Sequence, residues 1–152
     1  MKYSIDTSAL INLSRYPKDI FKGLWIDFDK LCASHVVVSS DAVVDELAVR
    51  EGDELLEWCK QRDNFLYPLD IPMQEALTEV NSRCNLVDHE NHRSEGDPFV
   101  VAIAYLNDLS VISDEKPRKH PAARMKIPDA CQEMGLRHLS LFDFIRSEGW
   151  TY

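Results

Sequence analysis

The chain has 152 residues, of which 45% are hydrophobic and 28% charged, which is the composition of an ordinary globular protein rather than a disordered or fibrous one. Its 17 basic and 26 acidic residues give a formal net charge of −9 at pH 7, which argues against a protein that binds nucleic acid mainly through bulk positive charge. We expect one domain over residues 1–152, because a chain of this length has room for a single core.

The cysteines and the hydropathy pattern indicate a cytoplasmic protein with no membrane-spanning segment. Cys32, Cys59, Cys84 and Cys131 are far apart, and none forms the CxxC pair of a zinc or redox site. The first residues lack the apolar core of a signal peptide, and no apolar run approaches the about 20 residues that cross a bilayer.

Extended and helical patterns alternate along the whole chain. In chain order they predict a strand over 1–5, helices over 9–16 and 18–32, a strand over 35–38, a helix from Ser39 or Ser40 to a break at Gly52, helices over 53–64 and 72–84, an irregular segment over 85–96, a helix over 97–107, a strand over 109–113, a basic loop over 116–126, a helix over 129–134, a strand over 136–139 and a helix over 141–147. Short strands that alternate with helices predict an α/β fold, a three-layer α/β/α sandwich with a small, mainly parallel sheet.

Two of the predicted strands end on an acid, Asp6 and Asp114. In a parallel sheet both ends lie at the same edge, where α/β proteins bind their ligands. Asp97 begins the apolar helix just before the second of these strands, and Glu46 lies in the helix after the strand over 35–38. Four carboxylates at one edge repel each other unless a divalent cation binds among them, and a site of hard oxygen ligands favours Mg²⁺ or Mn²⁺.

Each acid also has an ordinary local explanation. Asp97, directly before Pro98, has the position of a helix N-cap. Glu46 lies four residues before Arg50, the spacing of a solvent-exposed ion pair, and Asp45 competes with it for an inward position. Asp6 equally suits a strand-to-helix turn, and Asp114 equally suits the start of a surface loop. Spacing alone therefore does not decide between a metal site and these local roles.

The motifs taken together resemble a PIN domain over nearly the whole chain and in the same order. The stretches that carry the resemblance are Tyr3–Ile11, Glu46, Gly96–Ala104 and Val111–Asp114. The segment Ile127–Cys131 further resembles a PIN-like family of uncharacterised prokaryotic proteins, which is similar to the VapC-type toxins of toxin–antitoxin systems.

This resemblance implies a metal-dependent endoribonuclease, the toxin of a type II toxin–antitoxin pair, which hydrolyses RNA phosphodiester bonds. It implies one or two Mg²⁺ or Mn²⁺ ions, with the hydroxyl of Ser8 orienting one ligand, and it implies a cognate antitoxin and a homodimer as partners. The catalytic and metal-binding residues implied by the resemblance are Asp6, Glu46, Asp97 and Asp114.

One position departs from the family pattern. Many members carry another acid two residues beyond the position matched by Asp114, but this chain has Lys116 there, with Glu115 in between. Either Glu115 acts as a substitute ligand, or the site binds a single ion until RNA phosphate supplies further ligands.

The basic loop directly follows the fourth acid. It contains five cations and no acid, and we expect these cations to contact the phosphates of an RNA strand, the alternative being a solvated loop. They are Lys116, Arg118, Lys119, Arg124 and Lys126. The sequence is also compatible with a second function from a different class, a catalytically silent PIN-like module that binds RNA or a protein partner, mainly because of Lys116.

Overall fold

The structure is a computed structural model that describes residues 1–50 and 53–152. The described residues form four strands and eight helices in the predicted alternation. The strands are β1 (Tyr3–Ile5), β2 (Val37–Val38), β3 (Ser110–Ile112) and β4 (His138–Leu139). The helices are α1 (Thr7–Ser14), α2 (Lys22–Ala33), α3 (Asp41–Arg50), α4 (Asp53–Lys60), α5 (Ile71–Arg83), α6 (Asp97–Asn107), α7 (Ile127–Met134) and α8 (Leu141–Ser147).

The four strands form one parallel sheet in the order β2-β1-β3-β4. In the central pair, Ile5 of β1 is in register with Ile112 of β3. The residues that follow these two strands therefore leave the sheet side by side, at the edge where the sequence predicts the acids.

Consecutive residues of β1 face opposite sides of this sheet, as the two-residue period of a strand requires. The ring of Tyr3 packs edge-to-face on Phe144 of α8, and Phe144 packs on Phe28 of α2. On the other side, the buried hydroxyl of Ser4 donates a hydrogen bond to the carbonyl of Val100 in α6. Helices cover both faces, which confirms the predicted three-layer α/β/α sandwich.

Several helix bounds differ from the predicted ones. Helix α1 begins at Thr7 rather than Ala9, because the carboxylate of Asp6 accepts the backbone N–H of Ser8 and so takes the N-cap position predicted for Ser8. Helix α7 begins two residues earlier than predicted, at Ile127. The predicted break at Gly52 lies outside the described residues.

All four cysteines are buried and free. Within residues 1–50 and 53–152, no helix is long and apolar enough to cross a membrane.

Candidate metal site

Asp6 is placed by the end of the central strand and the start of α1. It is buried, with 2% of its surface exposed. Its Oδ2 accepts hydrogen bonds from the Ser8 hydroxyl at 2.7 Å, the Ser8 backbone N–H at 3.3 Å and the Ser113 hydroxyl at 3.2 Å. These three donors all bind the same oxygen, so they fix the orientation of the carboxylate without using Oδ1.

Glu46 reaches the same region from α3, and two contacts hold its carboxylate. The hydroxyl of Thr7 donates to Oε2 at 2.7 Å, and the backbone N–H of Gly96 donates to Oε1 at 2.7 Å. Glu46 is half-buried, whereas its neighbour Asp45 is exposed, which settles which of the two acids points inward. The alternative partner Arg50 lies among the side chains that the structure does not describe.

Asp97 is the first residue of α6, directly after the N-cap residue Gly96. The predicted N-cap role is wrong: Gly96 holds that position, and among the described residues no side chain caps the helix. The Asp97 side chain is 2% exposed, and among the described residues nothing hydrogen-bonds its buried Oδ2. A buried carboxylate oxygen without a donor costs free energy, which a cation bound there would remove.

The structure brings Asp6, Glu46 and Asp97 together, and we call these three residues the carboxylate triad. Each offers one oxygen, and the three oxygens all lie within 4.8 Å of one another. Oxygen ligands at this spacing fit a divalent metal ion. One of the three residues, Asp97, also has a buried oxygen that no described residue hydrogen-bonds. The triad can therefore hold such an ion.

The electrostatics of the triad lead to the same conclusion. Burial, followed by the charges of Glu115 and Glu46, raises the pKa of Asp6 to about 7. Burial, followed by the charges of Asp6, Glu115 and Glu46, raises the pKa of Asp97 to about 10. Without a cation these carboxyl groups hold protons that are lost in water at much lower pH, so a metal ion that bound here would replace protons.

Asp114 is not part of this group in the structure. Its Oδ2 accepts a hydrogen bond from the Asn12 side chain at 2.6 Å, and its Oδ1 accepts the backbone N–H of Leu141 at 2.8 Å. Asp114 thus links α1 to the first residue of α8. The reason is the alternation of an extended segment: Ser113 faces Asp6, so Asp114 faces the other way.

Glu115 returns to the side of Ser113 and lies near the triad. Its charge is the second largest cause of the raised pKa of Asp6, ahead of that of Glu46. Its Oε2 also accepts the backbone N–H of Ile127 at 2.9 Å, the first residue of α7. Of the two residues considered for the fourth carboxylate, Glu115 is the one whose charge acts on both Asp6 and Asp97.

The basic loop, residues 116–126, borders the site on the side of Glu115. A surface cavity of about 400 Å³ lies there, and its lining residues are Glu115, Lys116, Pro117, Arg118, Lys119 and Lys126. Arg124 is outside this cavity: its guanidinium donates to the carbonyl of Leu86, and its charge lowers the pKa of Asp97. Four of the five predicted RNA-binding cations therefore line one surface next to an acid.

Thr7, Gly96 and Ser113 are site residues that the sequence analysis did not assign. Thr7 and Gly96 stand directly beside Asp6 and Asp97 in the sequence, and both hold Glu46. A Cβ atom on Gly96 would lie 3.0 Å from Glu46 Oε1, so this close approach favours glycine. Ser113 stands directly before the fourth predicted acid and binds Asp6.

Comparison with known proteins identifies the family of the chain. No curated protein matches it. A family model described as a domain of unknown function, DUF4411, matches residues 3–152, which is nearly the entire chain. The resemblance to PIN domains stays a prediction from the motifs. The protein belongs to the DUF4411 family.

Proposed function

We propose that this protein is a metal-dependent endoribonuclease that hydrolyses RNA phosphodiester bonds. The observation that carries the proposal is the buried Oδ2 of Asp97, which no described residue hydrogen-bonds, within a carboxylate triad that can hold a metal ion. The order of the motifs, with their resemblance to PIN domains, supplies the reaction class.

Asp6, Glu46, Asp97 and Glu115 are the proposed ligands. Carboxylate oxygens are hard ligands, so the ion we propose is Mg²⁺ or Mn²⁺. Bound there, such an ion would lower the pKa of a coordinated water and offset negative charge on the leaving oxygen.

The protein's own contribution is to hold the ligands in place before the ion binds. Ser8 and Ser113 fix Asp6, while Thr7 and Gly96 fix both oxygens of Glu46. Outer contacts of this kind typically contribute about 10–100-fold to metal affinity or activity. The Thr7 and Ser8 hydroxyls already donate to carboxylates, so we assign neither as a nucleophile.

The cavity lined by the basic loop is the proposed path of the RNA strand. Glu115 lines it and also acts electrostatically on the triad, so a strand in the cavity leads to the carboxylates. The net charge of −9 is compatible with this path, because the phosphate contacts come from one local group of lysines and Arg118.

The biological role that we propose follows from the family resemblance: the toxin of a type II pair, inhibited by a cognate antitoxin, with a homodimer as its oligomeric state. A reading frame for a small DNA-binding protein directly beside the gene would support this role. Its absence from the neighbourhood in related genomes would count against it.

The test of the activity compares variants on single-stranded and structured RNA, with Mn²⁺ and with EDTA. We expect cleavage only with the metal, and a loss of about a hundredfold or more in Asp97→Asn and Glu46→Gln, because ligand loss costs at least as much as loss of an outer contact. The matched control is Asp45→Asn, on the exposed side of the same helix, which should cleave normally.

Calorimetry with Mn²⁺ on the same variants separates binding from catalysis. Wild type and Asp45→Asn should bind the ion, and Asp97→Asn should not. A wild-type protein that binds Mn²⁺ but cleaves no RNA would leave the silent binding module as the better explanation. Equal cleavage by wild type and Asp97→Asn would exclude the assigned site.

A further inference from the structure

The segment Ile127–Cys131 supplied part of the family resemblance, but none of its side chains has a role in the proposed site. Its acid, Asp129, is the third residue of α7. Its Oδ2 accepts the backbone N–H of Lys126 at 2.8 Å and that of Arg118 at 2.9 Å. One carboxylate oxygen therefore binds both ends of a chain segment that carries most of the basic loop.

The first of these contacts is ordinary, and the second is not. A carboxylate at the third position of a helix commonly accepts the N–H of the N-cap residue, here Lys126. Arg118 is eleven residues away from Asp129 and belongs to no helix. Its bond to Asp129 closes the loop rather than capping α7.

A second carboxylate, that of Glu115, also binds the start of α7, on the side of the triad. Glu115 accepts the N–H of Ile127, the residue next to Lys126, with a distance of 2.9 Å. The two ends of the basic loop thus lie together at the start of α7, where Asp129 and Glu115 accept their backbone N–H groups. The charge of Glu115 also raises the pKa values of Asp6 and Asp97. The cavity with Lys116, Lys119 and Lys126 lies at this closed end.

We infer that Asp129 is a positioning residue for the nucleic-acid strand: by closing the basic loop on a single oxygen, it holds the lysines of the cavity in register with the carboxylate site. The inference rests on the proposed function for the identity of the strand. It adds a residue that touches neither the phosphate nor the metal but sets where the phosphates bind.

The test uses Asp129→Ala, Asp129→Asn and a matched control in the full-length protein. In Asn the side-chain oxygen can still accept both N–H groups, because a single oxygen accepts them in the wild type. The control is Asp143→Ala, since Asp143 is the third residue of α8 and its contacts stay within that helix and its cap, Ser140 and Arg146.

The first measurement is fluorescence anisotropy of a short single-stranded oligoribonucleotide in EDTA, where no cleavage takes place. We expect Asp129→Ala to bind about 5–20-fold more weakly with a shallower salt dependence, because two or three phosphate contacts lose their alignment. Asp129→Asn should recover most of the affinity, and Asp143→Ala should bind like wild type.

The second measurement is cleavage with Mn²⁺. We expect Asp129→Ala to raise KM with little change in kcat and in Mn²⁺ affinity, a separation that a general loss of folding would not produce. Unchanged binding and KM in Asp129→Ala, or equal losses in Asp143→Ala, would overturn the inference while leaving the nuclease proposal intact. A wild type that neither binds nor cleaves RNA would overturn both, and Mn²⁺ calorimetry would still report on the triad.

Discussion

Gly96 and Glu46 are in direct contact across 50 residues of sequence: the N–H of Gly96 donates to Glu46 Oε1 at 2.7 Å, and a Cβ atom on Gly96 would lie only 3.0 Å from the same oxygen. The glycine next to one triad residue therefore sets the position of another. The backbone of Gly96 is in the ordinary helical region, so limited space, and not conformation, favours glycine here.

This contact predicts the effect of Gly96→Ala. The new Cβ would lie 3.0 Å from Oε1 and 3.1 Å from Cδ of Glu46, so the carboxylate must move. We expect Mn²⁺ affinity to fall by about tenfold, the usual scale for a lost outer contact, with little change in melting temperature. Calorimetry and thermal unfolding in EDTA measure the two quantities. Wild-type Mn²⁺ affinity in Gly96→Ala would show that Glu46 needs no such support.

The triad predicts how the stability of the metal-free protein depends on pH. The folded protein holds protons on Asp6 up to about pH 7 and on Asp97 up to about pH 10, whereas the unfolded chain loses them near pH 4. Because the folded state binds more protons at these two sites, their contribution to stability is fully present below about pH 4 and falls as pH rises, by about 1.4 kcal/mol per pH unit for each group.

Urea unfolding in EDTA at about pH 5, 6 and 7 checks this slope. We expect Asp97→Asn to be less dependent on pH than wild type, because it lacks one of the two groups. Saturating Mg²⁺ should stabilise the wild type more at the higher pH, since fewer protons then compete with the ion. A metal-free wild type that gains stability over this range would contradict the raised pKa values.

The different contacts of Asp114 and Glu115 predict two distinct phenotypes. Glu115→Gln should weaken Mn²⁺ binding by about tenfold or more while the protein stays folded. Asp114→Asn should leave Mn²⁺ affinity within about twofold but lower the free energy of unfolding by about 1–2 kcal/mol, because its bonds to Asn12 and Leu141 hold α1 and α8 together. Calorimetry and urea unfolding separate the two, and the reverse pattern would restore Asp114 as the ligand.

The cations of the basic loop also divide into two groups. Lys119 is exposed and lines the cavity, so Lys119→Ala should weaken oligoribonucleotide binding and reduce the salt slope by about one, without affecting Mn²⁺ affinity. The control is Lys22→Ala, an exposed lysine at the start of α2. Arg124→Ala should instead lower the melting temperature, because its guanidinium holds the carbonyl of Leu86. Equal RNA affinity of Lys119→Ala and Lys22→Ala would show that the basic loop is solvated and does not bind RNA.

Local sequence patterns predict the end of a helix correctly where that end depends only on neighbouring residues. The bounds of α6 and α8 agree with those predicted, and α8 does so because Ser140 caps it in the expected way. The first helix was misplaced by two residues because Asp6 and Ser8 are both good caps, and only their contacts decide between them.

The candidate site is also only partly predictable from the sequence, because local patterns do not report contacts between distant segments. Parallel strands bring their ends to one edge, which is why the sequence places Asp6 and Asp114 at the same edge of the sheet. Asp97 and Glu46 lie on helices, and spacing alone leaves their role in the site open. Whether Asp114 or Glu115 faces the triad depends on which residue continues the alternation of β3, a matter of one position that the sequence leaves open. Contacts such as that of Gly96 with Glu46 join distant segments and have no local signature.

The hydroxyl of Tyr3 donates to Glu148 at 2.5 Å, and the ring of the same residue packs on Phe144. The strand that carries Asp6 is therefore completed by residues made nearly 150 positions later. Helix α8 contributes no residue to the carboxylate triad, yet it covers one face of the strand that carries Asp6. The strand that positions one proposed ligand thus depends on a helix that supplies no ligand of its own.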